Sequence, residues 1–211
     1  MPDLDKLKQA IIAGDWKSAA AATHAAIDAG VEPLTLVNGY LVPAMDEVGR
    51  LFECEEYFVP EMLLSARAMK ASMEILRPLL KASGAEPVGR VVIGTVKGDL
   101  HDIGKNLVAS MLEGGGFEVI DLGADVAPER FVDAVTTRNA GLVALSALLT
   151  VTMTSMKGTI DALQAAGVRD KVKVMVGGAP VTQQYADAIG ADGYSDSAGG
   201  AVALARRLVA A

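Results

Sequence analysis

Cysteine is nearly missing from this sequence. Cys54 is the single thiol in 211 residues, which excludes an internal disulfide and any metal site built from several thiolates. Histidine is almost as scarce: His24 and His101 are the two in the chain, too few for a conventional His-rich zinc site. Basic residues are outnumbered, 19 Lys and Arg against 26 Asp and Glu for a net charge of −7, and none are clustered. Nucleic acid and anionic membrane surfaces are therefore not expected as partners. No membrane-spanning apolar run is present. The uncharged stretch Ala140–Met156 carries Ser146, Thr150, Thr152, Thr154 and Ser155, so it reads as a buried strand entering a polar loop and a helix. The start, Met1–Gln9, is polar and carries both charge signs. No secretory leader is expected there, and the protein is expected to be cytoplasmic. Neither a Walker loop nor Gly-x-Gly-x-x-Gly occurs.

Apolar residues make up 51% and charged residues 21%, the balance of a chain with a packed core. Its two halves follow different patterns. Residues 1–85 read as helical throughout. Asp3 can cap a helix holding Leu4, Leu7 and Ile11, and Asp15, after the Gly14 break, can cap an alanine-rich second helix that Gly30 ends. A third helix is expected from about Pro33 towards Phe52, with Leu34, Val37, Leu41, Met45 and Val48 at helical spacing. A fourth is expected from near Pro60, showing Met62, Met69, Met73 and Leu76 on one face. Together they predict an N-terminal four-helix bundle. Lys81–Gly89 reads as a flexible linker.

Residues 90–211 alternate. Short apolar strands are expected at Arg90–Thr95, Phe117–Asp121, Leu142–Leu145 and Val172–Val176, with a last one near Gly193-Tyr194. Helices are expected from about His101 to Glu113, after Pro128, over Thr152–Ala166, after Pro180 and from Ser197. That alternation predicts an α/β domain, a Rossmann-like (flavodoxin-like) five-stranded parallel sheet covered on both faces. Ligands of such sheets bind beyond the carboxyl ends of the strands. The loops to inspect are then Val96–Asp102, Gly123–Ala127, Ser146–Thr152 and Gly177–Ala179.

The first of these loops holds His101, the sole histidine of this half. A neutral imidazole is a good transition-metal ligand. Asp99 stands two residues earlier, and in extended chain such residues point the same way. Its carboxylate can then reach the far ring nitrogen and fix the tautomer. Gly104 leaves room at the start of the following helix for something bulky. The pattern Asp-x-His-x-x-Gly has three fixed positions, too few to carry an assignment alone.

The longer run does more. Thr95-Val96-Lys97-Gly98-Asp99-Leu100-His101-Asp102-Ile103-Gly104-Lys105-Asn106 closely resembles the cobalamin loop of methionine synthase and of the small corrinoid methyl-carrier proteins. Asp121-Leu122-Gly123, Leu145–Thr150 and Val176–Ala179 resemble later elements of that family, in the same order. The helical half matches too, in Val48–Phe52, Tyr57–Met62 and Ser65–Lys70.

The resemblance implies a cobalamin, methylcobalamin or a related corrinoid, whose own base has left the cobalt, with His101 as the lower metal ligand. Asp99 would bond to His101, and Thr152 would supply the hydroxyl that completes the relay. Gly98, Leu100, Asp102, Ile103, Gly104 and Gly123 would surround the cofactor. Ser146, Leu148 and Thr150 would contact it or its displaced nucleotide tail. Gly177 and Gly178 would line the tail slot, where a Cβ would strike the tail, and Gly193, Tyr194, Ser195 and Ala198 would close it. Asn38, Phe52, Val59 and Met62 would lie over the upper face of the corrin as a lid; plain bundle core is the alternative for these four.

The resemblance further implies a methyl shuttle that is not catalytic alone. Its partners would be a substrate-specific methyltransferase that methylates the corrinoid, an acceptor methyltransferase using tetrahydrofolate or a thiol, and a reductive activase. The alternatives are an adenosylcobalamin-dependent mutase subunit, a cobalamin-dependent sensor or regulator, and corrinoid storage.

Overall fold

The computed structural model describes residues 3–84 and 86–210 and leaves the side chain of Lys81 undescribed. The expected N-terminal bundle boundary at residue 85 thus lies outside the described residues. The chain divides into two compact units, Met1–Pro87 with Glu113–Gly116, and Val88–Leu112 with Phe117–Ala211.

The first unit is helical. Asp3 and Asp15 cap helices α1 (Leu4–Ile12) and α2 (Trp16–Asp28), accepting from the N–H groups of Lys6 and Ser18. The expected third helix is one helical run with a defect: α3 (Pro33–Leu36), a π turn (Val37–Leu41) and α4 (Val42–Glu53). Val42 N–H donates to the Val37 carbonyl across the wide turn. Pro43 next along has no N–H to close a regular turn on Gly39, and widening the helix there accommodates it. Helix α5 (Val59–Ala82) runs into the segment that composition reads as linker. Small residues bring helices α2 and α5 together: Ala19, Thr23 and Ala26 are buried, as are Ser65, Ala68 and Ser72. The Thr23 hydroxyl lies 3.0 Å from that of Ser72.

The second unit holds a five-stranded parallel sheet in the order β2-β1-β3-β4-β5. The strands are β1 (Arg90–Thr95), β2 (Glu118–Asp121), β3 (Leu142–Ser146), β4 (Lys173–Gly177) and β5 (Gly193–Tyr194). Helices α6 (Ile103–Gly114), α7 (Pro128–Arg138), α8 (Thr154–Ala165), α9 (Gln183–Ile189) and α10 (Ala198–Ala210) alternate with them. The central strands are apolar almost without a break because helices cover both faces; Val91, Val92, Leu142, Val143 and Val174 are wholly buried. Strand order reverses between β1 and β3, since the chain leaves β1 on one side for β2 and returns on the other. The loops leaving those two strands therefore part at a crevice, where this architecture takes its ligands. Among the described residues no helix is long and apolar enough to cross a membrane.

Candidate functional site

Everything that meets at the crevice converges on one carboxylate. Strand β1 ends at Thr95, and Val96 N–H still bonds to the Ser146 carbonyl of β3 at 3.0 Å. The chain then turns at Gly98, whose φ is +85°, and the Asp99 side chain reaches the loop that follows β3. Asp99 is fully buried. Its Oδ1 accepts the His101 backbone N–H at 3.0 Å and lies 3.0 Å from His101 Nδ1. Its Oδ2 accepts the Leu148 N–H at 2.7 Å, the Leu149 N–H at 3.3 Å and the Thr152 hydroxyl at 2.7 Å. Thr152 Oγ1 is also 2.8 Å from the Leu149 carbonyl, so its single proton has two acceptors within reach.

Burial alone would push the Asp99 pKa up. The donors from Leu148, Thr152 and His101 outweigh it and hold the group well below the ordinary carboxylate range. An ionised carboxylate accepts only, so Nδ1 must carry the shared proton. The Nε2 lone pair is left free, and it has no hydrogen-bond partner among the described residues. The imidazole is 54% exposed. Thr95 Oγ1 donates to the His101 carbonyl at 2.8 Å and Ser155 Oγ to the Lys97 carbonyl at 3.0 Å, so the loop is tied at both ends.

The same two loops and the first residue of α6 expose apolar side chains. Leu100, Ile103 and Val151 are 77%, 72% and 75% exposed, and Leu148 and Leu149 are exposed as well. Leaving five such groups in water is unfavourable unless something apolar covers them. Among the described residues no three His, Cys, Asp or Glu side chains could jointly hold a metal ion. A single imidazole does not retain a free ion, so a metal at Nε2 has to bring its other ligands. A flat, largely apolar macrocycle carrying its own metal fits both the donor and the rim. Gly104 agrees: a Cβ there would meet nothing within 4 Å, leaving its side of the loop open.

Two family models, each described as a B12 binding domain, match residues 89–203 and 3–77. The chain belongs to the family of B12-binding corrinoid proteins. It is 46% identical over 200 residues to trimethylamine corrinoid protein 2 of Methanosarcina mazei, covering 94% of this chain and 92% of that one. A cobalamin-binding protein from Desulfitobacterium hafniense DCB-2 superposes with a TM-score of 0.80 at 35% identity over 99% of both chains. The methanol:cobalamin methyltransferase complex of Methanosarcina barkeri contains a chain matching at a TM-score of 0.85 and 32% identity, over 98% of this corrinoid protein and 79% of that chain.

The remaining expected positions fall as follows. Asp102 is exposed in the histidine loop, and Gly123, with φ +85°, follows β2. Strand register sets Thr95, Ser146 and Gly177 side by side and Tyr194 beside Val176. Ser146, Thr150, Gly177, Gly178, Tyr194, Ser195 and Ala198 thus gather at the carboxyl ends of β3, β4 and β5 and the start of α10, while Gly193 opens β5 opposite Met175 in mid-β4. At Gly178 the chain supplies its own reason for glycine. A Cβ there would lie 1.9 Å from the Ala147 carbonyl oxygen, and φ is +129°, so the chain's own backbone excludes a side chain. Gly193 is similar, its absent Cβ leaving room for Leu204 at 2.7 Å. In the helical unit Asn38 sits in the π turn and is exposed, as is Val59; Phe52 is half-buried and Met62 fully buried.

Sequence reasoning missed several participants. The Leu148 and Leu149 amides act through backbone, which leaves no mark in side-chain identity. Lys105 is 3% exposed and bonds to both Asp121 oxygens, at 2.7 and 2.5 Å, tying α6 to the end of β2. A lysine inside an otherwise apolar helix face could have signalled that ion pair.

Proposed function

We propose that this corrinoid protein holds cobalamin with His101 Nε2 as the lower ligand of the cobalt, in place of the cofactor's own base, and carries a methyl group between methyltransferases. The observation that carries this reading is the Asp99–His101 pair: a buried carboxylate 3.0 Å from Nδ1 leaves a free Nε2 lone pair at a loop rimmed with exposed apolar side chains. When bound, the corrinoid supplies a cobalt centre able to accept and release a methyl group.

The chain's residues do the rest. Asp99 selects the tautomer and raises the electron-donating power of the imidazole. Thr152 and the Leu148 and Leu149 amides keep Asp99 ionised and pointed at His101. Leu100, Ile103, Leu148, Leu149 and Val151 exclude water around the ring. Ser146, Thr150, Gly177, Gly178, Gly193, Tyr194, Ser195 and Ala198 take the nucleotide tail. Asn38, Phe52, Val59 and Met62 of the helical unit are the covering residues to test. The relatives support the methyl-carrying role: one is named a trimethylamine corrinoid protein, and another is a chain of a methanol:cobalamin methyltransferase complex. The partners proposed here are a methyltransferase that loads the corrinoid, an acceptor methyltransferase serving tetrahydrofolate or a thiol, and a reductive activase.

Nuclear spin provides the test. Protein loaded with cobalamin and held as cobalt(II) should give an EPR spectrum split into triplets by one axial nitrogen. Growth on ¹⁵N-histidine should turn those triplets into doublets, and His101→Ala should remove the histidine signal. Triplets that persist in ¹⁵N-histidine protein would mean that the benzimidazole is still on the metal, and the reading fails. Methyl carriage is tested by incubating the methylated protein with a thiol and an acceptor methyltransferase; retention of the methyl group counts against it.

A further inference from the structure

The side chain of Asp99 is held by the β3–α8 loop, but its main chain is held from the opposite side. Asp125, in the loop between β2 and α7, donates its N–H to the Asp99 carbonyl at 2.9 Å. Its carboxylate Oδ1 accepts the Gly98 N–H at 2.7 Å. The two bonds are reciprocal and bracket the turn that aims His101. Their geometry has a cost. Asp125 has φ +53°, one of three non-glycine residues with positive φ among the described residues. Aspartate visits that region more readily than most residues, yet still less readily than glycine. The neighbouring chain is laced to β1 as well, by Val126 N–H to the Thr95 carbonyl and Thr95 N–H to the Gly123 carbonyl.

We propose that Asp125 is a positioning residue for the histidine loop, holding Gly98 and Asp99 so that the Asp99 carboxylate stays in line with His101 Nδ1. Without the Asp125 carboxylate, the Gly98 N–H turns to water and the turn at Gly98 loosens between its remaining ties, the Asp99 side chain, the Asp125 N–H and the Thr95 and Ser155 hydroxyls. The bond from Asp99 to Nδ1 then loosens while the tail pocket, built on β3, β4 and β5, is untouched. The role rests on the reading of His101 as metal ligand, and the experiment separates the two.

Two variants divide the geometry from the carboxylate. Asp125→Asn keeps an acceptor oxygen and tolerates positive φ. Asp125→Gly relieves the backbone cost and removes the acceptor. In corrinoid-free protein, hydrogen exchange at the Gly98 and His101 amides should speed up by about fivefold in Asp125→Gly, the size of one lost hydrogen bond. Exchange at Val92 and Val143, in the middle of the sheet, should not change. Asp125→Asn should stay within about twofold of the parent at all four amides. In cobalamin-loaded protein the fraction with histidine splitting in the cobalt(II) spectrum should fall about fivefold in Asp125→Gly, with total corrinoid uptake unchanged. Parent-like exchange and splitting in Asp125→Gly overturn the proposal. So does a uniform rise in exchange across the sheet, which would mark a general structural role. If the parent shows no histidine splitting, the ligand assignment fails, and the amide exchange still decides the role of Asp125.

Discussion

Replacing Asp99 with asparagine keeps the shape of the side chain and removes its charge and half of its accepting surface. Three donors face Oδ2, from Leu148, Leu149 and Thr152, and two face Oδ1, from the backbone and ring of His101. The amide has one oxygen to offer. Turned towards His101, it would set its NH2 against the Leu148 and Leu149 N–H groups, at about 1–3 kcal/mol for each buried donor left without an acceptor. Turned towards Leu148, Leu149 and Thr152, it sets the NH2 against His101. There the imidazole can respond by moving its proton from Nδ1 to Nε2 and accepting at Nδ1. The second arrangement leaves one backbone N–H, that of His101, without its acceptor against two in the first, so it wins, and the nitrogen that should bind metal then carries a hydrogen. Restoring the ligating tautomer means giving up that neutral hydrogen bond and leaving the Nδ1 donor without an acceptor, about 1–3 kcal/mol, a drop of roughly 5- to 150-fold in histidine-ligated over unligated corrinoid. The assay is the cobalt(II) EPR spectrum of ¹⁵N-histidine protein beside the bound corrinoid measured by absorbance. Uptake should persist with the histidine doublets weakened by that factor. Asp99→Asn showing doublets as strong as the parent would refute the tautomer argument.

The same carboxylate sets a pH dependence in corrinoid-free protein. Its folded-state pKa lies below the ordinary value of 3.8, so its stabilisation is full above that value and is lost as pH falls below it towards the lowered folded value. The denaturation midpoints of the parent and Asp99→Asn should keep a constant gap above about pH 5 and converge below about pH 4; a gap that widens in acid contradicts the sign. Thr152→Val should cost about 1–2 kcal/mol and Thr152→Ser much less, because Oδ2 needs the hydroxyl and not the methyl group; equal losses in urea titrations would dismiss the hydrogen bond. Gly178→Ala should destabilise corrinoid-free protein by about 3 kcal/mol or more, from backbone strain and the Ala147 carbonyl together, read as a fall in thermal midpoint. Gly104→Ala should do the reverse, leaving corrinoid-free protein equally stable or about 0.5–1 kcal/mol more so while weakening cobalamin uptake. Unimpaired uptake would mean that the open space beside Gly104 is not where the corrin ring lies.

Local chemistry announces much of this protein. The strand–helix alternation, the capping residues Asp3 and Asp15, and the pairing of Asp99 with His101 two residues on are written in short stretches of chain, where periodicity and residue type suffice; Thr152, 53 residues from Asp99, is suggested only by the family resemblance. Strand limits moved by a residue or two, β2 beginning at Glu118 instead of Phe117 and β4 running on to Gly177, since ends depend on neighbouring strands. Other features required the fold. The π turn at Val37–Leu41 hides within a pattern that reads as ordinary helix, because apolar spacing does not register one extra residue per turn. One reason for glycine at position 178 is an oxygen 31 residues away in sequence, at Ala147, delivered by strand pairing. Asp125 looks like one more loop aspartate until parallel pairing of β1 and β2 sets it against Gly98. Residue type says which atoms can bond; only the closed sheet decides which of them meet.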